Sequence, residues 1–227
     1  FADALRLKLA ALDRGEGDLV ALTKAVETAE ATYDSAADIL TQARTKAAAE
    51  LDVMMAKELA PLKMERAVFS TQITLGEPGA EGRDSVAFTV ATNPGAPAGP
   101  IGKIASGGEL SRFLLALKVC LTRDQSGVTM IFDEIDRGVG GATADAVGRR
   151  LKALASDGQV LVVTHSPQVA ALGGHHWRVA KRVEGGMTLS EVTPLDEMAR
   201  IDELARMLAG DTITEAARDA ARALLIG

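Results

Sequence analysis

"VTMIFDEID", Val128 to Asp136, is an apolar run that ends abruptly in two carboxylates. Met130, Ile131 and Phe132 in succession leave no polar face, which is how a strand reads when a parallel sheet is covered on both sides. Ligands collect at the carboxyl ends of the strands in such sheets, so Asp133 and Glu134 stand where a site would form. Two adjacent carboxylates after an apolar run carry an electrostatic cost that a cation offsets. One can hold a hydrated magnesium ion through its oxygen atoms, and the other can orient and deprotonate an attacking water. The plainer alternative is a pair of loop carboxylates capping the next helix.

Downstream, "VLVVTHSP" (Val160 to Pro167) is a second apolar strand, ending in Thr164 and His165. If the two strands are parallel neighbours, His165 lies beside the first pair, where an imidazole can bond a terminal phosphate. A strand-end histidine serves equally well as a structural residue. Upstream, "IASGGELSR" (Ile104 to Arg112) opens a leucine-rich helix. Ser106 can cap that helix while Glu109 reaches back, and Gly107 and Gly108 leave the first N–H groups free of side-chain bulk. Such a helix start presents unpaired donors and the positive end of a dipole to an anion. Most capping boxes bind nothing, so the neighbouring strands decide the reading. The chain has no Gly-x-x-x-x-Gly-Lys-Ser/Thr phosphate loop: in "PAGPIGKI", Pro97 replaces the first glycine and Ile104 the Ser or Thr.

Helices and strands alternate around these motifs. A helix is expected from Glu109, another from about Thr143 to Leu154, a ribbon from Trp177 to Val192, and closing helices near Glu197 to Leu208 and Glu215 to Leu225, the last capped by Thr212. Before them, Phe69, Thr71, Ile73 and Leu75 alternate, "GEPGAEG" turns the chain, and Val86, Phe88 and Val90 alternate again, which predicts a hairpin. "ATNPGAPAGP" then reads as a loop that cannot be helix or central strand.

The amino-terminal part differs. After a short leucine-rich helix and a break at "RGEGD" (Arg14 to Asp18), residues Leu19, Leu22, Val26, Ala29, Tyr33, Ala36, Leu40, Ala43 and Ala47 keep three- and four-residue steps. That is a heptad seam, with a stutter through Leu51, Met55, Leu59 and Leu62. A helix from about Asp18 to about Ala60 is on the order of 60 Å long. The narrow, alanine-rich seam favours a coiled-coil strand over a helix lying along its own domain. The division expected is residues 1–64 as coiled-coil strand and 65–227 as head.

Composition narrows the classes. Aromatic residues are 3% of the 227 while hydrophobic residues are 47%, which leans toward helix packing and excludes an all-β barrel. A net charge of -6 argues against a surface that grips nucleic acid everywhere, although a local basic patch fits within that sum. The single Cys120 excludes an internal disulfide and fits a reducing compartment. It lies on the stripe Leu110, Phe113, Leu114, Leu117, Cys120 and Leu121, expected to be buried. Arg112, Lys118 and Arg123 on the same helix could form a basic contact for DNA, but a solvated face explains them at least as well. His175 and His176 are adjacent and point to opposite faces of an extended chain, so they are not a metal site. No apolar run approaches a membrane span, and a cytoplasmic protein is expected. The first residue is Phe, so a piece of a longer protein is expected.

"SGGE", "TMIFDE" and His165, in this order, resemble the signature, Walker B and switch histidine of an ABC-type ATPase head. Longer stretches, "NPGAPAGPIGKIASGGELSRFLLALK", "FDEIDRGVGGATADAVGRRL", "VVTHSPQVAALGGHHW" and "ARMLAGDTITEAARDAARALL", are similar to the RecN family of SMC-like DNA repair proteins. The resemblance covers the chain from about Ala67 onward; over residues 1–60 it is only a generic match to a returning coiled-coil strand. It implies an α/β fold, the carboxyl-terminal lobe of an ABC/SMC-type head on a long coiled-coil helix. It further implies ATP and magnesium, with the phosphate loop supplied by an amino-terminal lobe of the same protein. Heads would dimerise around ATP, with Ser106, Gly107, Gly108 and Glu109 forming the signature that meets nucleotide on a second subunit. By the same resemblance Asp133 would hold magnesium, Glu134 activate water and His165 sense the γ-phosphate. The implied function is recombinational repair of DNA double-strand breaks, with DNA ends as partner, no membrane, and a nucleoid-associated cytoplasmic location. Many relatives carry an Asp where Gly140 stands, which leaves Asp136 or Arg137 as substitutes in that loop. Without Walker A this chain alone is expected to be inactive. A transporter-type ABC head and a non-catalytic coiled-coil scaffold are the competing readings, the first disfavoured by the long heptad.

Overall fold

The first 58 described residues wind into one uninterrupted helix, α1 (Ala2–Leu59), in the computed structural model, which describes residues 2–104, 107–122, 127–156 and 158–226. The break expected at "RGEGD" is absent. Gly15 and Gly17 each cost a helix about 1 kcal/mol but keep their N–H groups, and only proline removes the bond that a helix needs. The helix ends where Pro61 enters a 3₁₀ turn, Ala60–Leu62, closed by Lys63 in the left-handed conformation. At the standard rise α1 is on the order of 90 Å long.

By proximity the described chain falls into two compact units, Phe1–Glu50 with Thr71–Ala87 and Leu51–Ser70 with Phe88–Gly227. In the first, α1 carries the tip of a hairpin formed by β1 (Val68–Gly79) and β2 (Gly82–Ala91). Only Ala80 and Glu81 connect these hydrogen-bonded strands, and so short a link can join only antiparallel ones. The strands run well into "GEPGAEG", so the turn is shorter than expected. Polar groups fasten the tip. Arg83 bonds Asp34 at 3.2 Å and also Asp38, and the Tyr33 hydroxyl accepts from the Gly79 N–H at 3.0 Å. Asp84 accepts from the Thr41 hydroxyl at 2.8 Å and from Arg44 at 3.0 Å. The Thr41 bond, with Arg44 and Arg83 nearby, holds the Asp84 carboxyl below its ordinary value against the opposing effect of burial. Gly82 has a φ of +90°, and a Cβ there would stand 2.9 Å from Leu40 Cδ2, so the turn requires glycine. The first part of the heptad seam is bare, with Leu19, Leu22 and Val26 exposed, while further on the hairpin partly covers the seam residues Tyr33 and Leu40 and buries Ala37 beside them.

The second unit holds the main core. Met55, Leu59 and Leu62 at the end of α1 meet Phe69 and Val90 of the hairpin base, Phe113, Leu115 and Ala116 of α3 (Gly107–Thr122), Phe132 of β4 (Thr129–Asp133) and Val147 of α4 (Gly141–Leu154). Arg150 of α4 clasps Glu58 with two bonds of 2.6 and 2.9 Å. β4 pairs in parallel with β5 (Gln159–Val163), from Thr129 opposite Gln159 to Asp133 opposite Val163. Between β2 and α3 lie β3 (Gly99–Pro100), which adds to the edge of β2, and the single turn α2 (Ile101–Ile104). A smaller core joins α5 (Pro167–Ala171), α6 (Glu197–Ala209) and α7 (Glu215–Ile226) through Ala170, Leu204, Ala205 and Ala221. The ribbon is β6 (Trp177–Glu184) and β7 (Met187–Pro194), exposed along both strands.

Three sequence expectations change here. The β4–β5 sheet is covered on one face, not two. Phe132 is buried, but Ile131 is 58% and Val163 55% exposed on the opposite face, because no described element of this chain packs there. On α3 the buried face is Phe113, Leu115, Ala116, Val119 and Cys120, while Leu114 and Leu121 are exposed. Finally, α7 is capped by Thr214, whose hydroxyl accepts from the Ala217 N–H at 3.2 Å, and not by Thr212.

Candidate functional site: two strand ends and a helix start

The parallel register places Asp133 and Val163 opposite each other, so the chains leaving β4 and β5 emerge together. The Glu134 N–H donates to Val163 O at 3.0 Å, extending the ladder by one bond before the backbone turns sharply. Glu134 makes that turn at a φ of 47°, the left-handed region that side chains with a Cβ rarely adopt. Two further bonds, Arg137 N–H to Glu134 O at 3.0 Å and Val139 N–H to Asp136 O at 3.1 Å, complete a tight loop. The loop exposes Asp133 and Glu134 and buries Asp136 completely. Arg137 lies 3.8 Å from Glu134, but both side chains are well exposed and water screens the pair.

The loop after β5 is tied to the first. The Thr164 hydroxyl donates to Asp136 Oδ2 at 2.5 Å and accepts from the Ser166 N–H at 2.9 Å. His165 sits between these two fastened residues, with its side chain exposed. Asp136 Oδ1 is buried with no partner among the described residues.

Gly108 brings the helix start to the same place. It is buried, and a Cβ there would stand 2.9 Å from both Gly138 O and Val139 Cγ1 of the loop after β4. Gly107 is exposed, with nothing within 4 Å of where its Cβ would be. Glu109 is half-buried on the first turn of α3. Ser106 and Arg123 lie outside the described residues. The structure therefore brings Asp133, Glu134 and His165 to the ends of β4 and β5, and sets Gly108 against the loop that follows Glu134. Gly140, where the resemblance expects an acidic residue, lies just before α4 in extended backbone.

Three residues that brace this site carry no mark in the sequence pattern. Arg112 is not on a solvated face: its guanidinium bonds Gly108 O at 3.1 Å and Leu62 O at 2.9 Å, joining the start of α3 to the carbonyls that end α1. Burial pushes its pKa down. Lys118 likewise bonds Ile131 O at 2.9 Å and lies 4.8 Å from the Phe132 ring centre. Thr164 bridges the two loops, yet in sequence a threonine before His165 looks like any strand end. His175 is exposed, and His176 is half-buried beside Arg200 and Glu203 in the second unit, away from any group of ligands among the described residues.

Comparison with known proteins decides the family. Over 225 residues, 98% of this chain and 41% of the relative, it is 42% identical to the DNA repair protein RecN of Vibrio cholerae. The chain matches the carboxyl-terminal part of RecN. RecN of Rickettsia felis is 47% identical over 194 residues, and RecN of Deinococcus radiodurans 41% over 221, covering 35% and 39% of those proteins. The chain thus spans about two-fifths of the length of the RecN relatives it matches. No family model matches it. Among solved structures, one from a study of ATP-driven dimerization and DNA-stimulated activation of SMC ATPases aligns with a TM-score of 0.54 at 20% identity, covering 74% of this chain and 96% of that one. The Smc head domain with coiled coil and joint from Pyrococcus yayanosii aligns at 0.55 and 21%, covering 71% and 29%. The RecN-like segment therefore has the fold of the carboxyl-terminal lobe of an SMC-type ATPase head.

Proposed function

We propose that this segment is half of an ATP-hydrolysing head, and that the complete protein acts in recombinational repair of DNA double-strand breaks. The observation that carries the reading is the exposure of Asp133, Glu134 and His165 at the carboxyl ends of two in-register parallel strands, with Gly108 packed on the loop that follows the first of them. Relatives named as RecN DNA repair proteins and a fold shared with SMC ATPase heads support it. The exposed apolar face of β4 and β5 supports a second lobe that completes the sheet and brings the phosphate loop.

The residues fit magnesium. Asp133 offers hard carboxylate oxygens at an exposed strand end, the donor type that magnesium takes alongside nucleotide phosphates and water. When bound, magnesium would neutralise charge on those phosphates. Glu134, turned outward by its left-handed backbone, would orient and deprotonate the attacking water. His165 would donate a hydrogen bond to the terminal phosphate. Ser106, Gly107 and Gly108 would meet ATP held by a second subunit, so that heads dimerise around nucleotide, with DNA ends as the substrate that the complete protein gathers. On this reading the location is cytoplasmic, at the nucleoid; no described helix is long and apolar enough to cross a membrane.

The test is to combine this chain with an amino-terminal lobe that carries a phosphate loop. The mixture should hydrolyse ATP, and Glu134→Gln should reduce turnover about 100-fold or more while nucleotide still binds. Turnover by the chain alone that Glu134→Gln abolishes would overturn the half-site reading.

A further inference from the structure

We infer that Asp136 is a positioning residue which, through the Thr164 hydroxyl, sets the switch-histidine loop against the loop that bears Glu134. The inference rests on the hydrolytic reading above and adds a residue to it.

Three observations carry it. First, the carboxylate is wholly buried in a loop whose other charged residues, Glu134 and Arg137, are exposed, so the tight turn after β4 drives this charged side chain inward. Second, its only described side-chain bond crosses to the other strand: Asp136 Oδ2 accepts from Thr164, and Thr164 in turn accepts from the Ser166 N–H. His165 is thereby held on both sides, by residues whose geometry depends on Asp136. Third, Asp136 Oδ1 has no partner among the described residues, and a buried carboxylate oxygen left unpaired is costly. An apolar residue would fill the same space at less cost. What an apolar residue cannot do is accept the Thr164 proton and so fix the direction of that hydroxyl.

The two loops have few other ties. The Glu134 N–H to Val163 O bond fixes backbone to backbone at the strand ends, but it lies before His165 and does not orient it. Between the Glu134 loop and the residues flanking His165, the Asp136–Thr164 bond is the described side-chain link. A shift of about 1 Å between catalytic groups can cost a hundredfold in rate, so one bond at this place is enough to matter.

The experiment is a double-mutant cycle in the complemented head, with Asp136→Ala, Thr164→Val and the pair. Each single change should lower kcat about tenfold or more with the KM for ATP little changed, and the pair should do no worse than either alone, because all three lose the same bond. Thr164→Ser, which keeps the hydroxyl, should restore kcat. A residue that only stabilises the fold would lower the melting temperature and leave kcat unchanged well below it. Wild-type kcat in Thr164→Val, additive losses in the pair, or failure of Thr164→Ser to rescue would each overturn the inference. A Glu134→Gln head that still hydrolyses ATP would instead sink the underlying reading, so the two failures are told apart. Should Asp136→Ala fail to fold, Thr164→Val against Thr164→Ser still decides. In the chain by itself, Thr164→Val should also speed hydrogen exchange at the Ser166 amide, and an unchanged rate would count against the bond.

Discussion

Gly107 and Gly108 are neighbours of one type with opposite roles. A methyl group on Gly108 meets Gly138 O and Val139 at 2.9 Å, so Gly108→Ala should push the loop after β4 away and destabilise the chain by about 1–3 kcal/mol. Gly107→Ala meets nothing and sits at a helix start, so its stability should change by no more than about 1 kcal/mol, in the favourable direction. Urea denaturation of both variants checks the contrast. The sequence made the "SGGE" turn recognisable as a helix start suited to an anion, but which glycine is pressed against a neighbour depends on a loop some thirty residues away. Glu134 shows the same limit. Its position after an apolar strand was legible, whereas its left-handed φ of 47° was not, since glutamate gives no local signal for it. Glu134→Gly should relieve that strain and raise the urea midpoint while removing the carboxylate, so stability and turnover would move in opposite directions.

At the scale of elements, periodicity located the major helices and strands, and the errors are one break that the helix runs through and several element ends. The break at "RGEGD" failed because two glycines weaken a helix without stopping it. The Thr212 cap failed because Glu215 three residues on completes a capping-box pattern for Thr212, yet the helix begins at Glu215 itself and takes Thr214 as its cap. Thr214→Ala should therefore cost about 1 kcal/mol and Thr212→Ala nearly nothing, measured by thermal or urea unfolding. Arg112 belongs to this scale as well, because it joins two elements. Its bonds to Leu62 O and Gly108 O close the carbonyl end of α1 against the start of α3. Arg112→Ala leaves Leu62 O without this donor and should cost about 1–3 kcal/mol, a loss that a solvated arginine would not show. A cation three residues beyond Glu109 looks like any surface charge in sequence, since the carbonyl it caps lies fifty positions earlier.

For the molecule as a whole, acid should act through His176 and Glu203 of the second unit as well as through Asp84 of the first. Burial, with Arg200 nearby, lowers the pKa of His176, so the imidazole folds neutral; protonation then favours the unfolded chain, and this contribution is full above about pH 6.5 and declines as pH falls below it. Glu203 is held low by its bond to Arg206, with Arg178 adding to the effect, so its contribution is present above about pH 4.3 and is lost on further acidification. Unfolding free energy measured against pH should fall in both windows, and His176→Gln should remove the upper decline alone. The parallel sheet, the order of the motifs and the family were legible because each rests on local pattern. That one face of the sheet lies bare was not, because an apolar strand reads the same whether or not its cover belongs to the same segment. Ile131 and Val163 thus give this segment, when produced by itself, an adhesive surface on strands β4 and β5, which among the described residues pair with no further strand. Strand edges of that kind pair with other copies, so the segment's solubility should depend on its concentration, and production together with its complement becomes a matter of colloidal stability.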